Sequence, residues 1–497
     1  MRHFDFRWGG AVAALLAASA DAQLLSQAPL KPVVTQTLQA TKSATQKVLA
    51  APQTLVPAVS NLVPKVTNQL TNIVGNTIGT VTTITSPLLK APLSHPASVV
   101  TISSPTLAPT GGKAVAPLTR FSGVRLQPLA PAPTLTEASL ANTRIQRLRM
   151  LIGGSGDRLD TDDLGRPIVR GQILLLDADP ASLARLRRGG FRILADVADA
   201  ELGFRRTTLA APAGKSARDA LREACADWPS LEADFDHVYE PAGGPLHPGG
   251  TLAASTSART GTVIGMIDGG VASHPAIAGR ILDQHGFAGP PAATGHGTSV
   301  ASLMVGKQGR FSGAAAGASL LVADVYGPGR EAGSANAIAD ALSWLAAKRV
   351  PVINVSLVGP PNQLIRRAIA AVQRKGIVVV AAVGNDGPAS PPQFPASFPG
   401  VVSVTGVDRQ GVALFESGNA THIDFAAPGT DLAAASQAGG YTSVRGTSFA
   451  APLVAGRLAV VGSLQRLTAE ALPGKGRIGR GIVCARCGID PRLLAAR

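Results

Sequence analysis

Between Thr262 and Gln465 the chain repeats one pattern: a short apolar run rich in Val and Ile, followed by an amphipathic stretch. The runs read "TVIGMI", "ASLLVADV", "VPVINVSL", "GIVVVAAV", "GVVSVTGV" and "HIDFAAP", and the stretches between them include "SANAIADALSWLAAKR" and "NQLIRRAIAAVQRKG". A strand that is apolar at successive positions has no face left for water, so it must be covered on both sides. Helices that alternate with such strands supply the two covers and return the chain for parallel pairing. The pattern therefore predicts an α/β domain over residues 262–465, three layers deep, with a mostly parallel sheet. In sheets of this kind chemistry collects at the carboxyl ends of the strands.

The rest of the 497 residues is built differently. Residues 1–22 carry Arg2 and Arg7, an apolar run and an A-x-A pattern at Ala20 and Ala22, which reads as an export signal. Residues 23–140 mix Thr, Val, Leu, Gln, Ala and Pro, with a short repeat "LVPAVSN"/"LVPKVTN" and no sustained period. They are expected to be a disordered, low-complexity, basic extension. Residues 141–240 change texture. "RGQILLLDA", "FRILADV", "GFRRTTLAA" and "DFDHVYE" read as strands, "PASLARLRRGG" and "KSARDALREACADW" as helices, and the resulting β-α-β-β-α-β order is that of a ferredoxin-like unit. Gly, Pro and Ser in residues 241–261 mark an exposed linker. Residues 466–497 form a basic tail.

The net charge of +15 is concentrated at the ends. Residues 23–136 contribute six Lys and two Arg without one acid, and residues 466–497 seven basic against two acidic residues. Basic tails hold anionic surfaces weakly, and no zinc-finger or aromatic-rich pattern accompanies them, so sequence-specific nucleic-acid binding is excluded. No apolar run is long enough for a transmembrane span. Cys225, Cys484 and Cys487 make no disulfide framework. The "CARC" pair is compatible with a small disulfide, half a metal site or two free thiols. With no second pair to complete a zinc set, the disulfide is favoured.

Three polar positions interrupt apolar elements at their ends. Asp268 follows "TVIGMI" directly, His296 lies between glycines in "GHGTSVASLMVG", and Ser448 opens "GTSFAAPLVAG". Pro452 cannot donate a hydrogen bond back to the carbonyl of Ser448, which puts the serine at a helix N-terminus. Singly these are a turn former, a surface histidine and a helix cap. Jointly they supply a nucleophile, a base and an acid to orient the base, as acyl transfer through an activated serine requires.

Chain order and context make the resemblance specific. With "VIGMIDGGV", "GHGTSVASLMVG", "VINVSL", "VVVAAVGNDGP" and "GTSFAAPLVAG" in sequence, residues 261–461 resemble the subtilisin-like serine proteases, the subtilases. The resemblance implies a serine endopeptidase in which Ser448 is the nucleophile, His296 the base and Asp268 its orienting partner. Asn385 would donate its side-chain amide to the oxyanion. Ser356, Leu357, Val358 and Gly359 would line a groove for an extended polypeptide substrate. Many subtilases have Gly where this chain has Val358, so side-chain preference does not carry over. Phe394–Pro395 matches a cis peptide of the family.

The β-α-β-β-α-β unit is similar in element order to the family's propeptide, which implies an intramolecular inhibitor and a precursor that cuts itself within residues 241–261. Calcium sites occur in the family, but none is legible, and the loop "KQGRFSGAAAGA" has no carboxylate. No other cofactor is implied. The alternative is a protease-fold binding or adhesion module whose triad stays masked.

Overall fold

The computed structural model describes residues 135–248, 261–328, 332–487 and 489. The export signal, almost all of the basic extension, most of the linker and the last residues of the tail lie outside the described residues.

Helix α1 (Glu137–Gly153) starts inside the stretch expected to be unstructured. Thr136 and Ser139 explain why. The Thr136 hydroxyl accepts from the Ser139 amide and the Ser139 hydroxyl accepts from the Thr136 amide, a reciprocal cap that fixes the first turn. A short β1 (Leu159–Thr161) pairs antiparallel with β2 (Pro167–Leu176). The chain then runs through α2 (Pro180–Arg188), β3 (Arg192–Asp199), β4 (Phe204–Ala210), α3 (Ala217–Asp227) and β5 (Glu232–Pro241). These strands lie in the order β5-β2-β4-β3, every pair antiparallel. Side chains alternate across β2 with period two. Ile173 and Leu175 enter a small core with Leu186, Ala220 and Ala224 of α2 and α3, while Leu174 and Leu176 point into a second core shared with the α/β region.

Residues 241–248, expected as linker, are strand-paired. Pro241 ends β5, and β6 (Gly244–Pro248) adds to a small antiparallel sheet. Backbone donors and acceptors in extended chain are satisfied most readily by neighbouring strands, and this segment finds them.

The α/β region contains β7 (Val263–Asp268), β8 (Ile281–Gly286), α4 (Gly295–Val305), a hairpin of β9 (Lys307–Gln308) and β10 (Phe311–Ser312), and β11 (Ser319–Asp324). It continues with β12 (Gly333–Ser334), α5 (Ala335–Ala347), β13 (Val352–Val355), β14 (Leu357–Val358), α6 (Gln363–Arg374), β15 (Val378–Ala382), β16 (Val402–Val407) and β17 (Phe425–Pro428). Strands β18 (Leu432–Ala435) and β19 (Tyr441–Arg445) then lead into α7 (Thr447–Val461) and α8 (Leu464–Glu470). The central sheet has seven strands in the order β17-β16-β15-β13-β7-β11-β8. All of its pairs are parallel. Val380 and Ala382 face a core with α4 and α7; Val379 and Ala381 face α5 and α6. The unbroken apolar runs are thus strands wetted on neither face.

The end of the chain departs from the expected separate tail. Ile482 and Val483 are buried, and the Ala426 amide donates to Gly481 O at 2.9 Å while the Val483 amide donates to Ala426 O at 2.7 Å. This apolar pair, set in a basic stretch, closes the free edge of β17. Cys484 and Cys487 are joined as a disulfide with Cα atoms 5.1 Å apart. Phe394–Pro395 is cis. Among the described residues no single helix is long and apolar enough to cross a membrane.

Candidate active site

Asp268 ends β7 and is fully buried. The two glycines after it let the next chain segment come close. A Cβ on Gly269 would stand 2.5 Å from the Thr294 hydroxyl, and one on Gly297 would stand 2.3 Å from Gly269 O. That contact brings the first turn of α4 against the end of β7. Thr294 caps the helix by accepting from the Gly297 amide, so His296 projects from the first turn. Its Nδ1 lies 2.8 Å from Asp268 Oδ1. The Phe449 ring, 5.3 Å away between centroids, packs against the imidazole.

Ser448 is the second residue of α7 and is buried. Gly446 precedes the helix at φ 135°, a conformation that side chains rarely adopt. Thr447 ties the helix start to the loop after β15: its amide donates to Asn385 Oδ1 at 3.0 Å, and its hydroxyl accepts from the Gly384 amide at 3.0 Å. With Oδ1 engaged there, the Asn385 Nδ2 faces the other way, and it would stand 2.9 Å from a Cβ on Gly446.

The groove beside this constellation holds the chain's own residues. Val238–Pro241 of β5 lies between β12 and β14, antiparallel to both, with Tyr239 opposite Gly333, Glu240 opposite Val358 and Pro241 opposite Leu357. The predicted groove residues Ser356–Gly359 therefore all flank this segment. The Ala242 amide donates to Ser356 O at 3.2 Å, and Ala242 O accepts from the Ser448 amide at 2.9 Å. The same carbonyl would be 2.7 Å from a Cβ on Gly446, on the side of Asn385 Nδ2. The Tyr239 hydroxyl donates to Pro360 O at 2.8 Å, and its ring fills the space over Gly359, where a Cβ would come within 2.5 Å. Gly243 is equally confined: a Cβ there would be 2.7 Å from the Phe449 ring.

Asp268 and His296 are thus directly bonded, and Asn385 is joined to the Ser448 helix through Thr447. The Ser448 hydroxyl itself donates to Ser356 O at 2.9 Å rather than to the imidazole. His296 Nε2 and Asp268 Oδ2 are buried without a hydrogen-bond partner.

Charged contacts surround the groove segment. Asp234 Oδ2 accepts from the Gln363 amide at the start of α6, and both oxygens of Asp236 accept from Asn336 at the start of α5. Carboxylates at helix N-termini satisfy orphan amides and meet the positive end of the helix dipole. Burial pushes the Asp234, Asp236 and Glu240 carboxyls up from their ordinary values, against the pull of their partners. Arg147 of α1 bridges Glu240 at 3.2 Å and Asp386, the neighbour of Asn385, at 3.1 Å. None of these contacts was read from sequence. The available signal was "DFDHVYE", where two acids two apart share one face of a strand.

A parallel sheet with an acid at a central strand end, a histidine on the next helix and a serine opening a buried helix defines the class: this is a subtilisin-like serine endopeptidase, and the chain belongs to the subtilase family. The Subtilase family model matches residues 259–472. The chain is 31% identical over 208 residues to Subtilisin BL of Lederbergia lenta, covering 41% of this chain and 76% of that protein. It is also 31% identical over 216 residues to Thermitase of Thermoactinomyces vulgaris, covering 42% and 77%. Fervidolysin from Fervidobacterium pennivorans, a keratinolytic enzyme related to subtilisin, shares the fold at TM-score 0.52 and 18% identity, over 66% of this chain and 61% of that one. Among the described residues no three of His, Cys, Asp or Glu cluster in a way that could hold a metal ion.

Proposed function

We propose that the chain is an exported precursor of a serine endopeptidase that cuts its own Ala242–Gly243 bond and then other extended polypeptides. The Ser448 side chain turns from Ser356 O toward His296 and gives its proton to Nε2, the buried nitrogen without a partner, while Oγ bonds to the Ala242 carbonyl carbon. Asp268 holds the imidazole in the needed tautomer and balances its charge. The oxyanion takes hydrogen bonds from the Ser448 amide and from Asn385 Nδ2. The bond to the Gly243 nitrogen then breaks, His296 returns the proton to that amine, and water hydrolyses the Ala242 acyl-enzyme by the same route in reverse.

In this reading the β-α-β-β-α-β layer is a ferredoxin-like propeptide. Its last strand occupies the groove as an intramolecular inhibitor until it is cut as the first substrate. Later substrates bind as β5 does, by main-chain pairing with β14. Export rests on the signal pattern of residues 1–22.

The single observation that carries the proposal is Ala242 O, 2.9 Å from the Ser448 amide with its own amide on Ser356 O. Intact-mass analysis of purified wild-type and Ser448→Ala protein tests it. The expected result is a wild-type break after Ala242, an uncut mutant, and phosphonate labelling of wild type alone. An uncut wild-type chain that resists labelling would instead identify a masked binding module.

A further inference from the structure

The two sides of the Ala242–Gly243 bond differ in the space they offer. On the Gly243 side a cleft of about 660 Å³ is lined by Gly243, Gly244, Thr294, His296, Thr442 and Phe449. On the Ala242 side the room is about half that: a cleft of about 320 Å³ is lined by Glu240, Val358, Asp386 and Gln393, and Ala242 is not part of its lining. Both backbone groups of Ala242 are engaged, its amide by Ser356 O and its carbonyl by the Ser448 amide, so the direction of its Cβ is fixed. The residue is 2% exposed and belongs to the same apolar cluster as Val358 and Ala382.

Two side chains stand over the start of the loop of Gly384 and Asn385. A Cβ on Gly384 would lie 3.3 Å from Gln393 Cγ and 3.5 Å from Val358 Cγ1, so both border the space above that glycine. Neither yields readily. Val358 is buried, β-branched and therefore stiff. Gln393 is buried, its amide donates to Asn419 O at 2.9 Å, and its side chain donates to Pro391 O at 3.1 Å.

We infer that Val358 and Gln393 restrict this protease to bonds preceded by a small residue, Ala, Gly or Ser, the class of which Ala242 is the first example. The inference rests on the reading of Ala242–Gly243 as the bond first cut. A pocket discriminates by the bulk it cannot accommodate, and one that has to be forced open for an aromatic ring rejects it in the transition state.

Self-cleavage of the full chain, followed by intact mass, provides the first test. Ala242→Phe is expected to slow the cut by at least about 10², and Val358→Gly with Gln393→Ala in the same chain to restore at least about tenfold of that loss. Unslowed cutting of Ala242→Phe after residue 242, or no rescue by the enlarged pocket, overturns the inference. The second test uses peptidyl phosphonates that differ only in the side chain beside phosphorus, applied to the protein as purified. Labelling by the alanine analogue at least about 10² faster than by the phenylalanine analogue supports the size limit. Equal labelling by both overturns it while leaving the serine protease reading intact. Labelling by neither overturns that reading, and the inference with it.

Discussion

The last part of β2, residues 173–176, and β7 are both buried on two faces, but for different reasons. Around β7 the parallel sheet finds both covers, α4 with α7 and α5 with α6, within one region of chain. Around β2 the antiparallel sheet has one face on its own helices and the other on α5 and α6 of the protease region. The N-terminal layer thus completes its burial only while docked. Its polar residues differ in the same way. Ser448 and Ser356 of the protease region bond to the backbone of Ala242, whereas Asp234 and Asp236 of the layer bond to helix ends. Changes on one side are expected to act on rates, and changes on the other on association.

The largest effects belong to the first group. Asp268→Asn removes the partner that sets the His296 tautomer, and kcat should fall about 10⁴. Asn385→Ala should cost about 10² to 10³ in kcat, the price of one oxyanion donor, with little change in KM. Steady-state kinetics on peptide substrates checks both; a loss confined to KM would contradict the assigned roles.

On the layer's side the readout is unfolding of the uncut Ser448→Ala chain in urea. Asp236→Ala leaves the Asn336 amide at the start of α5 without its acceptor and should lower stability by about 1 to 2 kcal/mol. Arg147→Ala should lower it by less than about 1 kcal/mol, because that side chain is 38% exposed and its ion pairs are screened. If Arg147→Ala cost more than Asp236→Ala, the ranking of helix capping above surface pairing would be wrong.

A pH dependence is the smallest expected effect. Asp234, Asp236 and Glu240 have carboxyls raised by burial, so the docked form binds more protons than the unfolded chain. The stability they confer is full below the ordinary carboxylate value of about 4 and declines as pH rises through their raised values. Asp162 has the opposite sign. Burial works against it, but bonds from His237 and Arg166 hold its carboxyl low, and the stability it confers is lost only as pH falls below the ordinary range. Burial lowers the His274 imidazole, so its contribution grows as pH rises through the ordinary histidine range and opposes that of the raised carboxyls. Asp236→Asn in the Ser448→Ala chain isolates the carboxyl part: it should make the change in urea stability from about pH 5 to about pH 8 less unfavourable than in its parent, and an unchanged pH dependence would contradict the assignment.

The strands and helices of the α/β region were legible because their periods are local: Val- and Ile-rich runs demand two covers, and "SANAIADALSWLAAKR" presents one apolar face. Asp268, His296 and Ser448 stood out because polar residues at the ends of apolar elements need an explanation. The strand in "PAGGP" was not legible. Gly and Pro mark turns in isolation, and only β14 and β19 on either side hold that segment extended. The start of α1 was hidden in a stretch without long-range period, and the buried Ile482–Val483 pair was hidden among basic residues. Gln393 gave no signal, since a lone Gln before Phe394–Pro395 is ordinary on any surface.

The sequence alone determined the strands and helices of the α/β region and singled out the side chains proposed to carry the chemistry, because periodicity and side-chain type act over a few residues. Tertiary structure alone decided which peptide bond lies against Ser448 and that Val358 and Gln393 both stand over Gly384. Those outcomes depend on Ala242 meeting Ser448, and on β14 and Gln393 reaching the same glycine, across stretches of chain whose ends only the packed core brings together.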